Sequence, residues 1–107
     1  MAQHGIPDWY KFLKETQSDF IEAVEDLGKI TKKAGPLSEK TVHLIQLGGA
    51  AAIRSEGSVH SHVRRASEAG ASKDEIFHTL ISLTSTIGFP NVAAALSWAQ
   101  EELDKIS

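Results

Sequence analysis

The stretch E39-K-T-V-H-L-I-Q-L-G-G-A-A-A-I-R54 decides the fold class. From Val42 to Ile53 it is apolar or small almost all round, with His43 and Gln46 the exceptions. It lacks the strict two-residue alternation of a half-buried strand, and Ser38 stands before it as a helix cap. It therefore reads as a helix buried on most sides, in a core or between subunits. Gly48 and Gly49 each lower helix propensity by about 1 kcal/mol relative to alanine. Close approach of another helix to the Gly48–Ala52 segment is the simplest reason to find them there.

Working outward, the rest of the chain reads the same way. Upstream, Trp9, Phe12, Leu13, Phe20, Val24 and Leu27 recur mostly at helical spacing, with charges between them. This predicts one amphipathic leading helix over 8–33, capped by Asp8 and ended by the Ala34-Gly35-Pro36 turn. Downstream, R54-S-E-G-S-V-H-S-H-V-R-R-A-S-E-A-G70 breaks at Ser55-Glu56-Gly57. A third helix is predicted from Ser58 to Ala69, stopped by Gly70. Ser72 and Glu75 form a capping box opening a fourth helix, which is expected to end near Gly88. Pro90 begins a fifth, with Val92, Ala95, Leu96, Ala99 and Leu103 on one face. No strand is predicted. The expectation is an all-α, compact bundle of about five helices in a single domain over 1–107.

Composition narrows the chemistry. The chain has 107 residues, enough to bury roughly two thirds of its unfolded surface. A net charge of −3 argues against a nucleic-acid surface. The absence of cysteine removes disulfides, thiol redox chemistry and cysteine metal sites. The segment M1-A-Q-H-G-I-P-D-W-Y-K-F-L-K-E15 has no apolar signal core, and no run of about 18 apolar residues could span a membrane. A cytoplasmic protein without membrane or nucleic-acid partners is expected.

Residues 37–103, roughly two thirds of the chain, resemble the carboxymuconolactone decarboxylase family, which includes the alkylhydroperoxidase D-like proteins. The resemblance rests on L37-S-E-K-T-V-H-L-I-Q-L-G-G-A-A-A-I-R54, then H62-V-R-R-A-S-E-A-G-A-S-K-D-E-I76, then I87-G-F-P-N-V-A-A-A-L96. It lies in the order of an alanine-rich helix, a histidine eight residues before a glycine, a capped Glu-Ile start and a Gly-Phe-Pro turn. The resemblance implies helical subunits assembled as trimers or hexamers. The peroxidase branch carries cysteines where this chain has Ser55 and Ser58, and an activating glutamate where it has His43. Without thiols there is no sulfenate or disulfide to form, so thiol peroxidase chemistry is not expected. The decarboxylase branch keeps the histidine found here as His62. Its usual arginine and glutamate fall at Val42 and His43, and the aromatic residue before its Gly-Phe-Pro turn at Thr86.

These positions define the candidate site. His62 is the candidate acid/base, since imidazole titrates in the range needed to protonate a carbanion. His43 is a candidate replacement for the glutamate. Ser58 lies one turn before His62 on the same face. Ser55, Ser58 and the backbone N–H groups near Gly57 are candidate anion donors, and Arg54 a candidate cation for a substrate carboxylate. No cofactor is expected. His43, His60, His62 and His78 show no His-x-x-x-His spacing or matching carboxylate, so no metal site is expected either. His60 faces away from His62 and reads as exposed or interfacial; His78 reads as surface. Arg64 and Arg65 read as a solvated pair or an intersubunit salt bridge, and Trp9 and Trp98 as core or interface aromatics. Two functions fit: a cofactor-free lyase for a small carboxylate or lactone, or a non-catalytic oligomeric scaffold that retains the fold.

Overall fold

The computed structural model describes residues 6–106, which are helical with no strand among them. Seven helices follow in order: α1 Asp8–Thr16, α2 Ser18–Lys32, α3 Glu39–Ala52, α4 Glu56–Glu68, α5 Lys73–Ile81, α6 Thr84–Ile87 and α7 Phe89–Ile106. Five expected helices become seven because two of them break. The leading helix kinks out of helical geometry at Gln17 (φ −133°, ψ 52°). No glycine or proline lies there. Instead, the Thr16 hydroxyl donates to the Phe12 carbonyl, a back-bond that competes with the helical ladder and bends it. The fourth helix breaks at Ser82–Leu83 for a similar reason. The Ser82 hydroxyl donates to the Thr79 carbonyl at 2.7 Å, and that of Thr84 to Ile81 at 2.7 Å.

The chain divides into two compact units between Pro36 and Leu37. In the first, α1 and α2 pair through Tyr10, whose hydroxyl donates to Glu25 at 2.9 Å, with Lys14 3.4 Å from the same carboxylate. The expected apolar stripe is present, but Trp9, Phe12, Phe20, Val24 and Leu27 are all exposed, and Ile21 is the buried residue of α2.

In the second unit, α3 packs on α4 and α5, and α7 lies across α4 and α5. Leu47, Val59, Val63, Ala66, Ile76, Leu80, Ala95 and Ala99 form the core and are fully buried. Trp98 packs half-buried against it. The caps of α3 and α5 act as read from the sequence, whereas Asp8 is not a cap: it is the first residue of α1, and Pro7 holds the cap position with no side-chain hydrogen bond. The Ser38 hydroxyl accepts from Thr41 N–H, and Ser72 and Glu75 satisfy one another reciprocally. Gly70 takes φ 101°, the left-handed position that glycine tolerates best. Helix α4 starts earlier than expected, at Glu56 rather than Ser58, because the Ser55 carbonyl already accepts from Val59 N–H at 2.9 Å.

Within a single chain the core covers one side of α3. His43, Leu47, Ala50 and Ala51 are buried, but Ile45 is 57% and Ile53 76% exposed, and Gly49 and Ala52 are exposed beside them. The glycine pair also divides. A methyl group on Gly48 would meet Leu83 Cδ1 at 3.3 Å, so that position requires a small residue; Gly49 has open space around it.

Candidate functional site

His43 sits in the second turn of α3 and is 3% exposed. His62 sits mid-way along α4 and is half-buried. The packing of α3 on α4 brings their rings together, with centroids 6.0 Å apart and planes inclined by 41°. Nδ1 of each ring is sealed from solvent. Nineteen positions separate the two residues, so this meeting depends on how the helices pack rather than on any local motif. Two unit charges on rings this close would repel one another.

The serines lie at the start of α4. The Ser55 hydroxyl donates to Ser58 Oγ at 2.9 Å, and both residues are half-buried. Ser58 then shares the face of His62, four residues on. Arg54 lies just before, at φ 55°, in left-handed backbone that a non-glycine residue rarely adopts. Its exposed guanidinium donates to Asn91 Oδ1, and Asn91 Nδ2 donates to the Ile87 carbonyl. Arg54 is thereby tied to the turn around Gly88, the Gly-Phe-Pro element, which itself takes φ 89°.

A second cluster lies on another side of α4, and sequence reading missed it. His60 is not an exposed residue: its side chain is 17% exposed, and Nδ1 lies 2.9 Å from Glu102 Oε1. Glu102 is 3% exposed. Arg64 reaches the other oxygen of Glu102 at 3.7 Å, so this arginine is an intrachain partner, while Arg65 is exposed. Nε2 of His60 faces Glu101 at 3.3 Å and Glu56 at 3.8 Å. The four-residue step from Glu56 to His60 was legible as one helix face. The partners on α7 were not, being more than forty residues away. His78 is exposed, as expected.

The profile of the carboxymuconolactone decarboxylase family matches residues 18–101. In fold the chain is similar to the apo crystal structure of a carboxymuconolactone decarboxylase family protein from Legionella pneumophila. The TM-score is 0.76 at 22% identity, over 89% of this chain and 88% of that one. Among curated proteins none matches the sequence.

Proposed function

Since the chain belongs to the carboxymuconolactone decarboxylase family, we propose that it is a cofactor-free lyase for a small carboxylated or lactone-type substrate, with His62 as acid/base. The observation that carries this reading is the 6.0 Å approach of the His43 and His62 rings. In such a reaction the bond from carbon to the carboxylate breaks and carbon dioxide leaves. The electron pair passes into the conjugated lactone or carbonyl, and a proton returns to carbon. His62 delivers that proton, and His43, in the position of the family glutamate, tunes it. Ser55, Ser58 and the N-terminal amides of α4 offer donors to the substrate's oxygens. A small-molecule substrate, a cytoplasmic setting and a homo-oligomer of three or six subunits belong to the same reading. With no cysteine anywhere in the chain, peroxide reduction through a thiolate has no nucleophile.

The test is release of carbon dioxide from a panel of γ-lactone and β-keto carboxylic acids, run in deuterium oxide. Turnover should place deuterium on the carbon that lost its carboxylate. His62→Gln should lower the rate by about 10²–10⁴, the usual contribution of a general acid. Turnover unchanged in His62→Gln, or none on the whole panel, refutes the reading.

A scaffold function is the second reading, and a specific observation favours it. The family's arginine position holds Val42, and Arg54, the candidate cation, donates from its guanidinium to Asn91. Under this reading the fold persists as an oligomeric binding surface, and no acid on the panel turns over.

A further inference from the structure

We propose that Glu56, His60 and Glu101 form a binding site for a divalent first-row transition metal, with zinc the ion they fit best. One ligand atom from each of the three lies within 4.8 Å of the others. Zinc bonded at about 2.0–2.2 Å in tetrahedral geometry places its ligand atoms about 3.3–3.6 Å apart. The distances of 3.3 Å from His60 Nε2 to Glu101 and 3.8 Å to Glu56 are close to that edge length.

Orientation of the imidazole is the independent observation. A metal-binding histidine commonly donates its other ring N–H to a carboxylate, which holds the ring and directs its lone pair at the ion. Glu102 does this here. It is buried, it sits 2.9 Å from His60 Nδ1, and Arg64 balances its charge from 3.7 Å. In the tautomer with the proton on Nδ1, Glu102 accepts the hydrogen bond and the Nε2 lone pair faces Glu101 and Glu56. In that tautomer three acceptors face one another, the donor set a cation takes. A divalent metal ion there supplies two positive charges and bonds all three.

Joining α4 to α7 rests on their shared apolar core and the buried His60–Glu102 pair. It does not require Glu56 and Glu101, whose side chains are each 60% exposed. That exposure leaves an open path for an ion and a place for water as fourth ligand. One imidazole nitrogen with two carboxylates favours zinc over magnesium or calcium, which take oxygen ligands. His60 and His62 project about 200° apart round α4, so this site is separate from the His43–His62 pair.

The experiment is calorimetric titration of zinc chloride into the tag-free, chelator-treated full chain, with magnesium chloride in parallel. Imidazole nitrogen NMR is recorded on the same samples. One zinc per chain should bind, the His60 Nε2 resonance should move, and magnesium should bind at least tenfold more weakly. Glu56→Gln and Glu101→Gln, both at exposed positions that leave folding intact, should each weaken zinc at least tenfold. His62→Gln should leave zinc affinity unchanged. No zinc binding up to millimolar concentration would overturn the proposal. Equal affinity for magnesium, or loss of zinc in His62→Gln but not in Glu101→Gln, would overturn it too.

Discussion

His43 and His62 concentrate what single residues decide in this chain. One is buried, the other half-buried, and their rings are 6.0 Å apart. At an effective dielectric of about 20, two unit charges at this separation repel by about 3 kcal/mol. The second protonation should therefore be held back by the first, and the pair should titrate in two coupled steps. Histidine NMR titration checks this, with His62→Gln expected to leave His43 with a single simple curve. Independent titration of both rings would show that they do not sense each other and would remove the acid/base pair from the lyase reading. His60 carries a different lesson. It lies two residues from His62, yet it belongs to a cluster of carboxylates on another side of the helix.

Between elements, the capping box of α5 doubles as a tie to α3. Glu75 Oε1 accepts from Ser72 N–H at 2.8 Å, while Oε2 meets Lys40 Nζ at 3.0 Å. The Ser72 N–H first, and then Lys40, hold the Glu75 carboxyl below its ordinary value of 4.5. A carboxyl depressed on folding stabilises the native state above its unfolded value, and that contribution is lost as pH falls through the folded value. Glu75→Gln should therefore lower the urea midpoint at pH 6. The gap from the parent should shrink below pH 4.5 and close at still lower pH. A gap of equal size at pH 6 and pH 3 would mean that the charge contributes nothing.

At the scale of the whole molecule, apolar surface remains uncovered. Trp9, Phe12, Phe20, Leu27 and Ile30 in the first unit, and Ile45, Ile53, Ile81 and Phe89 in the second, are all more than half exposed. A small monomer rarely leaves so many large apolar side chains in water, and closed homo-oligomers are the usual means of covering them. Together with the family resemblance, this leads to an expected trimer or hexamer at micromolar concentration. Light scattering gives the mass directly, and a monomer mass there would refute it. Among the described residues no helix is long and apolar enough to cross a membrane.

The local signals were legible because they act over a few residues. The Ser38 cap, the Ser72–Glu75 box and the Gly70 stop each depend on backbone groups within one turn. The all-α class followed from periodicity, and the family from an ordered set of such signals. The breaks at Gln17 and Ser82–Leu83 were missed because hydroxyl back-bonds leave no mark as plain as glycine or proline. The exposed side of α3 was unreadable because apolar composition does not say which face a neighbour covers. Only packing could bring His62 of α4 against His43, set His60 against Glu102 across forty residues, and turn Arg54 toward Asn91. By itself the sequence determined the all-α class, the caps at Ser38, Ser72 and Gly70 and the chemical inventory; the tertiary structure alone decided which of those groups meet, because contact between distant residues is set by how helices cross rather than by any spacing along the chain.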